Sequence, residues 1–404
     1  MSICESVSCI PAEVSFSPGE AGVSNDPFAF WQLPDGWKRQ LSSQIDEARD
    51  TVEYYLLERY LGDGNRRPPA KIKAYYRIKQ LLPAALRFRI NSLAVRARHP
   101  LPFPNWPCES ALVDLQREWL KSTLACVKQD DGWHVGFWPR GQRCCIVLTH
   151  DVETPRGFDL MERVADIEEQ HGFRSAWNLP LAQYAIDWSR IGHLRERGFE
   201  FGAHGLCHDG QLFRSRADFA RLMPRLEHIA KDHGLKGFRA PSTLRRAEWI
   251  GAMAFDYDSS FADTDPWEPQ PGGTCSLFPF HLGNLIELPY TLPQDHTLIH
   301  LLHRDPLQVW TTKAQWIASL GGMILTLTHP DYSGNGRHLA QYEELLKRLA
   351  AIDSAWKATP AEVAQWWRTR SHLTLFDEGG TVTIRGAGSA DAVAVRLSDE
   401  PLAI

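Results

Sequence analysis

The feature that most constrains the fold of this chain is an alternation of short apolar segments with amphipathic segments, which begins at residue 143. Strand patterns occupy residues 144–149, 174–179, 200–204, 237–241, 257–259, 285–289 and 323–328. Helix patterns lie between them at 157–171, 188–197, 212–233 and 244–254. Alternation of this length predicts an α/β structure with a parallel sheet, either open or closed into a barrel.

The remaining segments differ from this region in composition and in the spacing of their apolar residues. Residues 1–35 are rich in Ser, Pro and Gly and are predicted to be weakly ordered. Residues 36–142 are predicted to form a helical extension, because apolar residues recur at helical spacing over 44–60 and, less cleanly, over 70–87. Period-two stretches in residues 371–404 predict a small β tail. The α/β region is thus assigned to residues 143–370.

Composition excludes several classes of function and partner. The net charge is -5 and no basic tract occurs, which argues against a nucleic-acid partner. The N-terminus does not resemble a secretory signal, and no apolar run approaches the roughly 18 residues of a transmembrane span. The eight cysteines are scattered, so we expect reduced thiols in a cytoplasmic protein, with disulfides after removal of a secretory signal as the alternative. The sequence does not indicate an oligomeric state.

Polar side chains follow four of the predicted strands at the point where each strand ends. The segments are THDVE at 149–153, HGLCH at 204–208, RAPS at 239–242 and HPD at 329–331. In parallel α/β folds, ligands bind and catalysis occurs at the C-terminal edge of the sheet. The four segments therefore predict a single active site at this edge.

Two of these segments have the spacing of a metal site. His204 and His208 are four residues apart, which on a helix or a tight turn places both imidazoles on one side. Asp151 and Glu153 are two apart, so in an extended strand end they face the same way, while Val152 faces the opposite side. Two histidines and a carboxylate form a familiar hydrolytic metal centre. Which of the two carboxylates binds the metal is left open by this pattern.

The ordered set THDVE, HGLCH, RAPS, YDSS and LTLTHPD resembles the five motifs of the polysaccharide deacetylases, carbohydrate esterase family 4 with its NodB homology domain. The resemblance covers about residues 143–370. It implies a distorted (β/α) barrel of about seven strands. It also implies a metal-dependent hydrolase that removes an N-acetyl group from an amino sugar in a polysaccharide or glycan precursor.

The resemblance assigns roles to individual residues of this chain. Asp151 matches the general base, Arg239 the arginine that orients this base, and His329 the general acid. His204 and His208 match the metal ligands. The implied cofactor is a divalent ion, zinc first, with cobalt or manganese as alternatives. Arg239 in a structural ion pair and His329 as an ordinary strand-end histidine are the competing interpretations.

At one position the chain departs from the family pattern. The family has a metal-binding aspartate where this sequence has Val152. We expect Glu153 to replace it as the metal ligand, because it faces the same side as Asp151. Direct metal binding by Asp151 is the alternative.

Three further residues are predicted to contact a carbohydrate substrate. Trp267 and Tyr332 lie on loops at the active edge and are expected to stack on a sugar ring. The backbone N–H near Ser242 is expected to complete an oxyanion site. Asp258, in the YDSS motif, is expected either to support His329 or to form a turn.

Two other functions compete with polysaccharide deacetylation. The segment DVETPRG resembles one found in enzymes that deformylate a lipid-linked amino-arabinose. The alternative that this implies is an N-deformylase or deacylase of a small or lipid-linked amino sugar. The other alternative is a non-catalytic glycan-binding protein that kept the barrel, for which Val152 is the main support.

Overall fold

The computed structural model describes residues 25–62, 101–334, 336–378 and 380–403. The predicted helix at 70–87 lies outside these residues, as do residues 1–24 of the segment that was predicted to be weakly ordered. From Asn25 onward this segment is ordered, because a short helix buries Phe28 and Trp31.

Within the described residues, thirteen strands form one large sheet and two small two-stranded sheets. The strands are β1 (Trp133–Val135), β2 (Cys144–Asp151), β3 (Ser175–Leu179), β4 (Glu200–Ala203), β5 (Gly237–Phe238), β6 (Tyr257–Asp258), β7 (Phe280–Leu282), β8 (Leu285–Glu287), β9 (Met323–Thr328), β10 (Ala355–Ala358), β11 (Thr374–Glu378), β12 (Thr381–Arg385) and β13 (Ala394–Arg396).

The large sheet curls into a distorted barrel. Strands β2, β3, β4, β5, β6 and β8 pair in this order and in parallel, and β9 pairs in parallel with the other edge of β2. The curl brings the chain after β8 beside β9, where the amides of Thr291 and Leu292 donate to the carbonyl of Leu325 at 3.1 and 3.0 Å. These seven parallel strands thus form the wall of the barrel. The fold predicted from the sequence is confirmed.

Two more strands extend this sheet. β10 pairs in parallel with the first half of β2, and β7 pairs antiparallel with β8. All eight residues of β2 are buried. A strand covered on both faces loses the polar alternation of a half-exposed strand, which explains the continuous apolar run CCIVL.

Eleven α-helices lie in the described ranges of the chain, several of them with clear N-terminal caps. They are α1 (Pro27–Trp31), α2 (Lys38–Leu56), α3 (Ala111–Val127), α4 (Pro155–Gln170), α5 (Trp188–Glu196), α6 (Arg216–Asp232), α7 (Ala247–Ile250), α8 (Pro306–Ser319), α9 (Pro330–Ser333), α10 (Gly336–Ala350) and α11 (Pro360–Ser371). Thr154 accepts a hydrogen bond from the amide of Gly157 and so caps α4, which begins directly after the end of β2. A π-helical segment also spans His296–Leu301.

Two predicted helices are shorter than expected. The helix predicted at 212–233 begins only at Arg216, because the side chain of Ser215 caps it there. Of the helix predicted at 244–254, only Ala247–Ile250 forms. Leu244 is extended, and the guanidinium of Arg245 is held in a buried ion pair with Glu58.

The chain before residue 143 contacts the barrel through buried polar bonds. Besides the ion pair of Glu58 with Arg245, the hydroxyl of Tyr60 donates to the carbonyl of Gly273 at 2.6 Å. β1 pairs antiparallel with β13, so this region also meets the end of the chain. β11 and β12 form a hairpin.

The six cysteines of the described residues are unpaired. In the same part of the chain, no helix is both long enough and apolar enough to cross a bilayer.

Candidate active site

Side chains from six neighbouring strands meet at the C-terminal edge of the barrel. Asp151 ends β2, Asn178 lies in β3, and His204 directly follows β4. The other three follow β5, β6 and β9 and are Arg239, Ser259 and His329. Because all these strands are parallel, their C-terminal ends lie at one edge, as the sequence predicts.

Glu153, His204 and His208 form a cluster of potential metal donors. One donor atom from each of the three lies within 4.8 Å of the other two. Oε1 of Glu153 lies 2.9 Å from Nε2 of His208. The Nδ1–H of His204 donates to the carbonyl of Arg239 at 3.0 Å, which leaves Nε2 as the lone-pair nitrogen. This Nε2 is buried and has no hydrogen-bond partner among the residues that the structure describes.

The backbone after β4 turns so that both histidines reach the cluster. Gly205 has a φ of 73°, and a Cβ there would lie 2.8 Å from Cγ of Pro241. Gln183 links the two donor loops, because its side chain accepts from the amide of His208 and donates to the carbonyl of Glu153, both at 2.5 Å. The histidine spacing that predicts a shared side is therefore realised in a turn.

The charge state of this cluster suits a divalent cation. Burial lowers the pKa of His204 to about 4, so its imidazole is neutral as a metal ligand must be. Burial raises the pKa of Glu153, but the nearby His208, His329 and His204 outweigh this and hold it well below its ordinary value. An anionic carboxylate and a neutral imidazole with an unsatisfied nitrogen belong to the donor set of hydrolytic metal sites.

One carboxylate oxygen of Asp151 accepts hydrogen bonds, and the other is directed at the donor cluster. Its Oδ1 accepts from Nδ2 of Asn178 at 2.9 Å and from Nη1 of Arg239 at 3.4 Å. Its Oδ2 lies 3.9 Å from Nε2 of His204. Burial raises the pKa of Asp151, but the electrostatic interactions with His204, Arg239 and His329 and the bond from Asn178 together lower it below its ordinary value. Asp151 is therefore an ionised carboxylate with one oxygen directed at the donor cluster.

Arg239 is fully buried and held by several acceptors. Its Nη1 donates to Oγ1 of Thr149 at 2.8 Å. Its Nε and Nη2 donate to the backbone carbonyl and the hydroxyl of Ser259, at 2.7 and 2.6 Å. With the remaining bond to Asp151, the guanidinium has one fixed orientation.

His329 forms a second pair beside the cluster, with Asp295. Its Nδ1 donates to Oδ1 of Asp295 at 2.7 Å, and its backbone amide donates to Oδ2 of the same carboxylate at 2.8 Å. Its Nε2 lies 3.7 Å from Oε1 of Glu153. Burial lowers the pKa of His329, but Asp295, with Glu153 and Asp151, outweighs it and raises the pKa to about 10. The imidazole is thus protonated at neutral pH and directs Nε2 at the site.

The alternation predicted for the end of β2 occurs in the structure. His150 faces away from the cluster, with Nε2 2.7 Å from Glu168 and Nδ1 2.8 Å from the hydroxyl of Thr328. Val152 is fully buried. Asp151 and Glu153 face the histidines.

The three predicted substrate contacts lie in different surroundings. Tyr332 lies beside the site, with its ring centroid 5.1 Å from that of His329. Oγ of Ser242 lies 3.4 Å from Nε2 of His208, which puts this residue next to the donor cluster. Trp267 is half-buried. Its ring makes an edge-on contact with that of Trp106, from the N-terminal region, and the two ring centroids are 6.0 Å apart. The structure thus brings Tyr332 beside His329 and Ser242 beside His208, whereas the ring of Trp267 contacts Trp106.

Two residues of the site were not singled out in the sequence. Asp295 occupies the place beside His329 that we considered for Asp258, whose carboxylate instead accepts from the hydroxyl and amide of Ser260 at 2.7 and 3.1 Å. The expectation that Asp258 supports His329 is therefore wrong. Asn178 does carry a sequence signal, since it is an amide within the apolar strand SAWNL.

Comparison with known proteins gives structural matches only. No protein-family model matches this chain, and no curated protein matches it. A protein from Mycobacterium smegmatis assigned to the polysaccharide deacetylases is 18% identical, with a TM-score of 0.46 over 57% of this chain and 92% of that one. PuuE allantoinase is 14% identical, with a TM-score of 0.45 over 57% and 92%. The chitin deacetylase of Colletotrichum lindemuthianum is 15% identical, with a TM-score of 0.36 over 56% and 89%.

Proposed function

We propose that this chain is a metal-dependent amide hydrolase of the polysaccharide deacetylase kind, which removes an acetyl group from the nitrogen of an amino sugar. The observation that carries the proposal is the set of groups gathered at one edge of the barrel. A carboxylate bonded to an arginine and an imidazole bonded to a second carboxylate both lie beside the three potential metal donors. Amide hydrolysis requires a base, an electrophile and an acid close to one another.

Glu153, His204 and His208 are the residues proposed to hold the metal. When bound, a divalent cation supplies Lewis acidity, which polarises the amide carbonyl and lowers the pKa of a water molecule. The unsatisfied Nε2 of His204 supports this assignment, because a buried nitrogen without a partner costs free energy that a ligand would recover. Zinc suits two imidazoles and a carboxylate, and cobalt or manganese would use the same donors.

Asp151 is proposed as the general base. It is ionised, and its unbonded Oδ2 faces the donor cluster, so it can accept a proton from the attacking water. Arg239 binds Oδ1 of the same carboxylate and fixes its orientation. The oxygen of water then joins the acyl carbon, and the proton stays on Asp151.

His329 is proposed as the general acid. Its Nδ1 is committed to Asp295, so the second proton is carried on Nε2, which faces the site. This proton passes to the sugar nitrogen as the carbon–nitrogen bond breaks, and the products are acetate and a free amine. Tyr332, beside His329, is proposed as a platform for the sugar ring.

The proposal is tested by incubating the purified protein, loaded with zinc, with oligomers of N-acetylglucosamine and measuring acetate and free amine. We expect acetate release that is lost in Asp151→Asn. Release of formate from N-formyl amino sugars, with no acetate from the acetyl oligomers, would replace the acetyl assignment. Binding of the oligomers without any acyl release would instead indicate a glycan-binding protein.

A further inference from the structure

Asn178 contacts the proposed base from the neighbouring strand. It lies directly opposite Asp151 in the pairing of β3 with β2, and its Nδ2 donates to Oδ1 of that carboxylate at 2.9 Å. Arg239 reaches the same oxygen at 3.4 Å. Two donors on one oxygen leave the other, Oδ2, as the one that faces His204. The direction of Asp151 is thus set by a pair of residues and not by Arg239 alone.

The other end of the Asn178 amide makes no compensating contact. Asn178 is 2% exposed, and its Oδ1 is buried with no hydrogen-bond partner among the described parts of the chain. The amide cannot be turned round to correct this, because a carboxylate only accepts and so requires the nitrogen to face Asp151. A buried polar atom without a partner destabilises a fold. Stability therefore does not explain why an asparagine stands at this position.

The next strand, β4, has a glycine where its backbone lies against Asn178. Gly202 of β4 pairs with Asn178, and a Cβ at this glycine would lie 2.4 Å from Oδ1 of Asn178. That distance is too short for two unbonded heavy atoms, so a side chain at position 202 would displace the amide. Trp177 and Leu179 alternate with Asn178 along β3, and all three are buried. The asparagine is thus the polar member of an otherwise apolar run from Ala176 to Leu179.

We propose that Asn178 is a positioning residue for the hydrolysis, which holds Oδ1 of Asp151 together with Arg239 so that Oδ2 faces the attacking water. This inference rests on the proposed function, because it needs Asp151 to act as the base. It assigns no contact with substrate or metal to Asn178 itself. Loss of the bond therefore affects the rate of the chemical step and leaves the binding of substrate and metal intact.

The test measures kcat, KM, bound zinc and Tm for Asn178→Ala and Asn178→Leu. We expect kcat to fall about 10-fold to 100-fold, as for other small displacements of a reacting group. We expect KM and zinc content to stay at the wild-type values and Tm to change little, because loss of the bond to Asp151 is offset by removal of the unpaired Oδ1. Ser175→Ala is the control, because Ser175 lies on the same strand and donates from the opposite face to Glu168 at 2.5 Å. It should lower Tm and leave kcat within about twofold of wild type.

Three results would overturn the inference. The first is an unchanged kcat in a folded Asn178 variant. The second is a raised KM with an unchanged kcat, which would mean that Asn178 binds substrate. The third is loss of zinc, which would place its effect on the metal site. If neither Asn178 variant folds, Gly202→Ala provides the same test, because its Cβ displaces the amide; a normal kcat there would count equally against the inference.

A double-mutant cycle in Tm separates this inference from the proposed function. The cycle combines Asn178→Ala with Asp151→Ala in the absence of metal and substrate. We expect the two changes to be non-additive, because each removes the same hydrogen bond. Additive changes would overturn the inference whatever the activity assay shows. Coupled changes in a protein that releases no acyl group would overturn only the proposed function.

Discussion

Oε1 of Glu153 lies 2.9 Å from Nε2 of His208, so the carboxylate two residues beyond Asp151 reaches the imidazole from the end of β2. Val152, between the two acids, is buried on the opposite side of the strand. The site therefore has two carboxylates with different surroundings. Asp151 is bonded by Asn178 and Arg239, and Glu153 lies among histidines. This difference supports the proposal that Asp151 acts as the base and Glu153 as a metal ligand.

The histidine pair is predicted to be necessary for metal binding. His204→Ala combined with His208→Ala removes two of three proposed donors, so zinc content measured after dialysis should fall from about one ion per chain to near zero. His228→Ala is the matched control, because His228 is exposed on α6, where it pairs with Asp232. Full zinc content in the double variant would place the metal elsewhere.

The pH dependence of activity is predicted to respond to Asp295. Asp295 helps raise the pKa of His329 to about 10, so the wild-type acid stays protonated well above neutral pH. Asp295→Asn keeps an oxygen that can accept from Nδ1 but removes the negative charge. The pKa of His329 should then fall towards its usual value of about 6.5, and the alkaline limb of kcat/KM should move to lower pH.

The pairing of Asp295 with His329 also predicts how the free energy of unfolding changes with pH. A histidine with a raised pKa stabilises the fold fully below the unfolded-state pKa of about 6.5, and this contribution is lost as pH rises through about 10. The difference in unfolding free energy between wild type and Asp295→Asn should therefore shrink from pH 7 to pH 10. An alkaline limb and a stability difference that do not move would both contradict the assigned pairing.

The contact between the N-terminal region and the barrel is predicted to contribute strongly to stability. The side chains of Glu58 and Arg245 are 4% and 2% exposed, and Glu58→Ala would leave the guanidinium buried without this carboxylate. Breaking a buried pair from one side costs about 3 to 5 kcal/mol, which urea unfolding would measure. Arg59→Ala is the control, because its pair with Glu53 is much more exposed and should cost less than about 1 kcal/mol. Equal costs would mean that the pair does not join the two regions.

Much of the barrel follows from local patterns in the sequence. β2 and β9 each begin with a continuous apolar run, CCIVL in β2 and MIL in β9, and each of the seven barrel strands overlaps a predicted segment. The ends of α6 and α7 were misplaced because side-chain bonds decide them. Ser215 caps the first, and the ion pair of Arg245 with Glu58 prevents the second from starting earlier.

The site residues likewise divide into those that the sequence predicts and those that it does not. The histidines and carboxylates at strand ends were predictable because a parallel sheet collects them at one edge. Asp295 was not, because it lies in the loop after β8 and approaches His329, 34 residues later, only when the barrel closes. Asn178 was visible as a polar residue in an apolar strand, but its partner depends on the register of β3 against β2.

The division of roles between the two carboxylates is the central claim, and Glu153→Ala and Asp151→Asn test it directly when zinc content and acetate release are measured on both. A carboxylate bound to a cation is a poorer base, because the cation lowers its proton affinity. We expect Glu153→Ala to lose zinc and activity together, with activity partly restored by excess zinc. Asp151→Asn should keep zinc and lose turnover. If Asp151→Asn loses the ion while Glu153→Ala retains it, the two roles are exchanged and the account is contradicted.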